Sequence, residues 1–366
     1  MSSHQEKIQS RIQGIVPLDP QWFLRAQRKC DNLTKPVGSL GRLEELACRI
    51  VAITRKDPPS CKQKLIVTIA ADHGVTQEGV SAYPPEVTIQ MVHNFLSGGA
   101  AINVLARAAG ARVLVVDMGV NGDLQNASGE LIHRKIGHGT ANMAKGPAMS
   151  PAQATACIET GMDLIDQQMQ HGLDIVGVGD MGIGNTTASA AIAAVLLGLP
   201  VDQVTGRGTG IDDEMLFNKV RVIEQAIRIN KPDPRDPLDV LAKVGGFEIG
   251  GIAGVILGAA RQRIPVLIDG FNSGAAALLA AKICPVSAQY MIAAHCSVER
   301  GHRHILNALG LKPLLDLDMR LGEGTGAALA MHLAEAAMRM VNEMATFQSA
   351  GVSEKQETVC RETAGN

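Results

Sequence analysis

The sequence has few aromatic residues. Its 366 residues include only one Trp, two Tyr and six Phe, whereas proteins that bind single strands of nucleic acid stack the bases on aromatic side chains. The charges are also nearly balanced, with 34 Lys and Arg against 36 Asp and Glu. This leaves no basic excess to neutralise a phosphate backbone. We therefore expect no nucleic-acid partner.

Paired cysteines and long apolar runs are also missing. The seven cysteines are odd in number and form no C-x-x-C pair, which argues against a disulfide framework and a thiolate zinc site. No apolar stretch has membrane-spanning length, and Met1 to Gln13 is too polar for a secretory signal. The histidines lack ligand spacing. We expect a cytoplasmic protein that has no membrane partner, metal or cofactor.

Glycine, by contrast, is abundant, with 39 residues. Two helices are predicted in the first sixty residues, from Asp19-Pro20 through Cys30 and from Leu40 to about Ile53. From Lys64 onward, short β-branched runs alternate with Ala-rich helical stretches. This alternation predicts an α/β protein with a parallel sheet.

Five predicted strands end in an acid or a histidine beside polar or glycine residues. They are Leu65 to Ala71, Val113 to Val116, Ile175 to Val178, Val266 to Ile268 and Met291 to Ala294. Open parallel sheets bind ligands beyond the carboxyl ends of their strands, so this recurrence predicts one site assembled from several loops. For any single strand, Asp and Gly also serve simply to end it.

A glycine-rich turn follows the third of these strands. Gly177 to Gly182 has the G-x-G-x-x-G order of a dinucleotide site. The continuation through Gly184, Asn185 and Thr186 places Asn or Thr at the N-cap of a helix, where backbone N-H groups bind anions. Asp180 lies inside the turn, where its charge opposes a pyrophosphate. The alternatives are a phosphate site and a turn that serves only tight packing.

A second glycine loop contains Gly206, Gly208 and Gly210 and is followed by a helical pattern with Lys219. A lysine beside such a loop is able to complete a phosphate pocket. Neither glycine loop has the G-x-x-x-x-G-K-[ST] order, so a nucleoside triphosphatase is not supported.

One carboxylate, Glu323, lies between Gly322 and Gly324, just before a predicted helix from Ala327 to Met340. The flanking glycines let a substrate come close and favour a functional role. The alternative is an exposed acid that the helix dipole stabilises.

Taken together, six motifs resemble one family, nicotinate-nucleotide:dimethylbenzimidazole phosphoribosyltransferase. The resemblance extends from about Pro17 to Met344. The motifs are Lys35-Pro36-Val37-Gly38-Ser39-Leu40-Gly41-Arg42-Leu43-Glu44, Ala71-Asp72-His73-Gly74-Val75, Gly182-Ile183-Gly184-Asn185-Thr186-Thr187, Lys243-Val244-Gly245-Gly246-Phe247, Asp269-Gly270-Phe271 and Arg320-Leu321-Gly322-Glu323-Gly324-Thr325-Gly326-Ala327-Ala328-Leu329.

The resemblance implies a Rossmann-like open parallel sheet with helices on both faces, plus a small helical domain made from the two chain ends. We expect residues 1–60 to form the N-terminal helical part of that small domain. Residues 61–320 are expected to form the large domain with the active site, 321–346 a C-terminal helix that completes the small domain, and 347–366 a loose tail. The resemblance also implies a homodimer.

The implied reaction transfers phosphoribose from nicotinate mononucleotide to 5,6-dimethylbenzimidazole, giving α-ribazole 5′-phosphate and nicotinate for the lower ligand of cobalamin. By matching position, Glu323 is the general base. At position 180 the family usually has Glu, and Asp180 is expected to support the general base Glu323. A nucleotide-sensing protein on the same fold, without turnover, is the alternative.

The same resemblance divides the remaining predicted site residues between the two substrates. The predicted ligands of the phosphate and nucleotide are Gly182, Gly184, Asn185, Thr186, Gly206, Gly208, Gly210 and Lys219. The predicted contacts of the acceptor base are Tyr83, Met181 and Leu321.

Overall fold

A six-stranded, fully parallel sheet forms the centre of the protein, in a computed structural model that describes residues 3–124 and 130–353. The strands follow the order β3-β2-β1-β4-β5-β6. They are β1 (Lys64–Ala71), β2 (Arg112–Gly119), β3 (Leu131–His133), β4 (Ile175–Met181), β5 (Val266–Ile268) and β6 (Met291–Ala293).

Helices connect and cover these strands. They are α1 (Ser3–Ile12), α2 (Pro20–Asp31), α3 (Arg42–Thr54), α4 (Val87–Leu96), α5 (Ala101–Ala109), α6 (Pro151–Met169), α7 (Asn185–Leu197), α8 (Val201–Val204), α9 (Asp213–Asn230), α10 (Pro237–Val244), α11 (Phe247–Arg261), α12 (Phe271–Ile283), α13 (Arg300–Leu309), α14 (Thr325–Glu343) and α15 (Phe347–Ala350). Two 3-10 helices are Gly74–Glu78 and Pro285–Tyr290.

Apolar cores lie on both faces of the sheet. Leu65, Val67 and Ile69 of β1 belong to one core, whereas Ile66 and Ala70 belong to the other. Successive side chains of a strand point to opposite faces, so a strand that is covered on both sides is apolar at nearly every position. The predicted open parallel sheet with helices on both faces is therefore confirmed.

The strand order reverses between β1 and β4, which pair with each other although they are not consecutive in the chain. Where the order reverses, the connections leave the sheet in opposite directions and open a crevice at the carboxyl ends of the strands. The loops after β1 and β4 therefore meet at this crevice.

Segments from both ends of the chain meet beside the sheet. Leu33 forms an antiparallel bridge with Thr346, and the N-H of Thr34 donates to the carbonyl of Ala345 at 3.0 Å. Helices α2, α3 and α14 contribute to one core, and α1 to the other. The division into domains stays a prediction, and residues 354–366 of the predicted tail lie outside the described residues.

Two local features differ from the sequence-based prediction. Strand β3 was not predicted, because its three residues are too few to show alternation. The N-cap of α7 is neither Asn nor Thr. It is Gly184, whose φ of 95° is left-handed and which provides no side-chain cap.

No helix in residues 3–124 and 130–353 is long and apolar enough to cross a membrane.

Candidate active site

Glu323 occupies an unusual backbone conformation at the crevice. Its φ is 63°, between Gly322 at 86° and Gly324 at 97°. The left-handed region costs a residue with a Cβ about 1–2 kcal/mol, so the surrounding structure must hold this turn in place. A side chain at Gly179 would collide with the Glu323 carbonyl. Glycine at that position therefore lets the turn lie directly on β4.

The Glu323 side chain is buried, since the residue is only 4% exposed. Its Oε2 accepts a hydrogen bond from the N-H of Ile102 at 3.2 Å. Burial raises the pKa of Glu323 above its usual value, and the bond from Ile102 opposes that shift. A raised pKa makes a carboxylate a stronger base and brings it closer to the pH at which general bases work best.

Asp180, at the end of β4, is in contact with the same turn. Its carbonyl accepts the N-H of Glu323 at 3.2 Å. Its Oδ2 accepts amide hydrogen bonds from Asn185 at 2.9 Å and from Asn272 at 2.7 Å. Burial and then neighbouring acids raise the pKa of Asp180 to about 7, against the hydrogen bond from Asn272. Near neutral pH both protonation states of Asp180 are therefore populated.

Asp269 is a third acid of this region, and no role was predicted for it. It is fully buried and accepts hydrogen bonds from backbone N-H groups of the turn and of the first turn of α14. Asp269 follows β5 immediately and precedes a glycine. Its place at a strand end was therefore the available signal.

Three of the predicted phosphate residues, Thr186, Gly208 and Lys219, lie together at the start of α7, whereas the side chain of Asn185 is bound to Asp180. Lys219 of α9 is 1% exposed, and its Nζ donates to Thr186 Oγ1 at 2.8 Å. A side chain at Gly208 would lie 2.8 Å from Thr186 Oγ1 and 3.3 Å from Lys219 Nζ. Burial lowers the pKa of Lys219 to about 8, partly opposed by the charge of Glu299. Lys219 is therefore still mainly cationic at neutral pH.

Two further charged residues hold the second glycine loop, and neither was predicted. Glu299 Oε1 accepts the N-H of Gly208 at 2.9 Å. Arg320 Nη1 donates to the carbonyl of the same glycine at 3.2 Å. Both lie far from the loop along the chain, and no local pattern indicated the contacts. Of the predicted loop residues, Gly210 adopts a left-handed φ of 101°, and Gly206 lies against the Glu299 carboxylate.

The predicted acceptor residues lie along the same crevice. Met181 is the last residue of β4, next to Asp180, and Leu321 precedes the glycine turn by one residue. Tyr83 is 53% exposed. Its loop joins the second glycine loop, since the N-H of Ala82 donates to Thr209 Oγ1 at 3.3 Å.

The first glycine loop packs against a buried pair of side chains, His73 and Glu248. His73 Nε2 lies 2.6 Å from Glu248 Oε1. Although burial lowers the pKa of His73, the Glu248 carboxylate outweighs it and raises that pKa overall. A side chain at Gly182 would lie 3.4 Å from the His73 ring. His73 therefore packs against this loop and is closed to solvent.

A separate cavity of about 440 Å³ is lined by residues that include Met149, Gln153, Lys243 and Phe247. None of the predicted site residues lines it, so we place the site at the crevice. Within the part of the chain that the structure describes, no three His, Cys, Asp or Glu residues group to hold a metal ion.

Comparisons with known proteins show similarity along nearly the whole chain. A phosphoribosyltransferase family profile matches residues 15–352. A nicotinate-nucleotide:dimethylbenzimidazole phosphoribosyltransferase of Chloroflexus aggregans is 58% identical over 346 residues, which are 94% of this chain and 98% of that protein. The protein of the same name from Geobacter sulfurreducens is 58% identical over 343 residues, 94% and 97% of the two chains.

A solved structure has the same fold. The crystal structure of CobT from Thermus thermophilus superposes with a TM-score of 0.87 at 49% sequence identity, covering 92% of this chain and 100% of the other.

Proposed function

The chain belongs to the nicotinate-nucleotide:dimethylbenzimidazole phosphoribosyltransferase family, and we propose that Glu323 is the general base of its reaction. The enzyme is a pentosyl transferase. It transfers phosphoribose from nicotinate mononucleotide to 5,6-dimethylbenzimidazole, producing α-ribazole 5′-phosphate and nicotinate. The observation that carries the assignment of Glu323 is its buried carboxylate, with a raised pKa, on a glycine turn at the crevice.

In this reaction, the group that needs assistance is the nucleophile, because the leaving group departs readily. One acceptor nitrogen attacks the anomeric carbon as the bond to nicotinate breaks, and the pyridinium ring of the leaving group regains neutrality. That departure needs little acid assistance. The second acceptor nitrogen must then lose its N-H proton, and a carboxylate at hydrogen-bond distance is able to take it. Glu323 takes this proton in our proposal.

The phosphate end of the crevice anchors the nucleotide in this proposal. The loops with Gly182, Gly184, Asn185 and Thr186 and with Gly206, Gly208 and Gly210 surround the 5′-phosphate, and Lys219 provides the cation. Anchoring a part of the substrate that does not react orients its anomeric carbon for attack.

The acceptor contacts and Asp180 complete the proposed site. Tyr83, Met181 and Leu321 contact the flat base. Asp180 orients the acceptor or stabilises the positive charge that develops on the ribosyl ring. The contact between its carbonyl and the backbone N-H of Glu323 supports this auxiliary role.

We propose that the active form is a cytoplasmic homodimer. The family resemblance and the alanine- and glycine-rich composition support the assembly, because small residues allow close packing and two-fold dimers are the commonest closed assembly. A monomeric mass in solution together with full activity would contradict it.

The decisive experiment incubates the purified protein with nicotinate mononucleotide and 5,6-dimethylbenzimidazole and measures α-ribazole 5′-phosphate. We expect multiple turnovers. Binding of nicotinate mononucleotide without product, under conditions where a purified relative turns over, would favour a nucleotide sensor and overturn the proposal. An acceptor panel at fixed nicotinate mononucleotide then identifies the preferred base.

A further inference from the structure

Asp269 makes three hydrogen bonds to the turn of Glu323 and to the start of α14, more than a residue that only ends a strand needs. Its Oδ2 accepts the N-H of Gly324 at 3.1 Å, and its Oδ1 accepts those of Gly326 at 2.7 Å and Ala327 at 3.1 Å. Gly324 is the residue directly after Glu323, and the other two lie in the first turn of α14. One buried carboxylate thus fixes the glycine turn and the helix start together.

Within residues 3–124 and 130–353, the hydrogen-bond partners of Asp269 are these backbone N-H groups, and no Lys or Arg pairs with it. His295 Nε2 lies 3.7 Å from Asp269 Oδ1, beyond hydrogen-bond range. Burial also lowers the pKa of His295, so its ring is neutral near pH 7. Burial, with a smaller contribution from the carboxylate of Glu323, raises the pKa of Asp269 to about 7, and the three backbone N-H groups oppose that shift. The N-H groups and the positive end of the α14 dipole therefore stabilise its charge.

A second contact holds the turn from β1. Thr68 Oγ1 donates to the carbonyl of Glu323 at 2.9 Å and is fully buried. Asp269 and Thr68 thus bind the N-H and the carbonyl of one peptide group, the one that joins Glu323 to Gly324. Together they hold a backbone that is left-handed at Glu323 and intrinsically unfavourable there.

We propose that Asp269 is a positioning residue that, with Thr68, holds the Glu323 turn so that the base meets the acceptor N-H. The inference rests on the proposed role of Glu323. Asp269 is closed to solvent and does not touch the substrate. Its effect is on where the base lies, and general bases act only within hydrogen-bond reach of their proton.

The test is Asp269→Asn, which keeps the shape of the side chain. The amide has only one oxygen, so either the helix start or Gly324 loses its acceptor and faces an NH2 group. We expect kcat to fall about 10- to 100-fold, as for a base displaced by up to about 1 Å. We expect the KM for dimethylbenzimidazole to rise, while the KM for nicotinate mononucleotide stays unchanged.

A rise in the KM of the acceptor alone distinguishes a positioning role from loss of folded protein. Loss of folded protein would lower the apparent kcat without changing either KM. Asp117→Asn is the matched control. Asp117 is likewise a buried acid near a strand end. It accepts the N-H of Val120 at 2.9 Å and pairs with Lys135 at 3.0 Å, but its loop carries no predicted site residue. We expect that control to lower the melting temperature and to leave both KM values unchanged.

A second variant, Thr68→Val, removes the other contact with little change of volume. We expect the same selective rise in the acceptor KM, and this variant decides the question if Asp269→Asn does not fold. Wild-type kinetics in folded Asp269→Asn, or in Thr68→Val when the first variant is unfolded, would overturn the proposal. So would an equal rise in acceptor KM in Asp117→Asn. An active wild type together with an active Glu323→Gln would instead refute the base role itself.

Discussion

The two ends of the crevice differ in charge and in how their groups are held. At one end the carboxylates of Glu323, Asp180 and Asp269 are buried and accept hydrogen bonds from backbone and side-chain amides. At the other, the buried Lys219 lies beside the second glycine loop, whose Gly208 N-H is held by the carboxylate of Glu299. Acids with raised pKa values are suited to moving a proton, and a buried lysine beside a glycine loop is suited to binding an anion.

Helix α7 joins the two ends. Its first residue, Asn185, donates to Asp180 at 2.9 Å, and its second, Thr186, accepts from Lys219 at 2.8 Å. One helix start therefore fixes the distance between the carboxylate end and the cationic end. In the proposed mechanism, proton transfer and anchoring of the phosphate are therefore separate tasks, and variants at the two ends are expected to fail in different ways.

The largest effect is expected for Glu323→Gln. The isosteric amide cannot accept a proton, and general acid-base groups contribute about 10²- to 10⁴-fold, so we expect kcat to fall by that factor. Steady-state kinetics with both substrates measures it. Glu343→Gln, at the exposed far end of α14, is the control and keeps full activity. A wild-type kcat in Glu323→Gln would remove Glu323 from the base role.

A smaller loss is expected for Asp180→Ala, because neither role proposed for Asp180 requires full proton transfer. We expect kcat/KM to fall by less than in Glu323→Gln, and Asp180→Glu, which introduces the usual family residue, to keep substantial activity. Measuring the three variants side by side tests this order. Greater damage in Asp180→Ala than in Glu323→Gln would show that the two roles are reversed.

The raised pKa of Glu323 predicts the pH dependence of the wild type. A general base acts in its ionised form, so kcat/KM falls as the pH drops through that pKa. The decline begins above the pH expected for an ordinary Glu, because burial raises the pKa, and it steepens to about tenfold per pH unit well below it. A pH-rate profile with nicotinate mononucleotide held constant checks this. Activity that stays constant down to about pH 4, near the ordinary pKa of Glu, would contradict the assignment.

No effect is expected from chelators. The leaving group needs no Lewis acid, and the histidines and cysteines lack ligand spacing. The acids at the carboxylate end are already occupied by N-H donors. Activity after EDTA treatment and gel filtration should equal that of untreated enzyme. Loss of activity that one divalent ion restores would contradict the metal-independent mechanism.

Much of the fold could be predicted from the sequence, because the buried strands are continuous apolar runs and most of them end in polar residues. Glu323, Asp180 and Lys219 were predicted as site residues because glycines or a strand end mark them locally. The contacts of Asp269, Asn272, Glu299 and Arg320 could not be predicted in this way. They join residues that are between 55 and 112 positions apart, and the fold alone brings them together.

The most direct test of this division, with proton transfer at one end of the crevice and phosphate anchoring at the other, is equilibrium binding of nicotinate mononucleotide. Calorimetry measures it in parallel for Glu323→Gln and Lys219→Met. Lys56→Met is the control. Lys56 pairs with Asp174, which directly precedes β4 and so lies at the amino ends of the strands, opposite the crevice. We predict the wild-type Kd for Glu323→Gln and for the control. For Lys219→Met we predict a Kd about 10- to 100-fold higher, the effect of losing one hydrogen bond to a charged group. Wild-type binding by Lys219→Met, or weakened binding by Glu323→Gln, would contradict the division between the two ends.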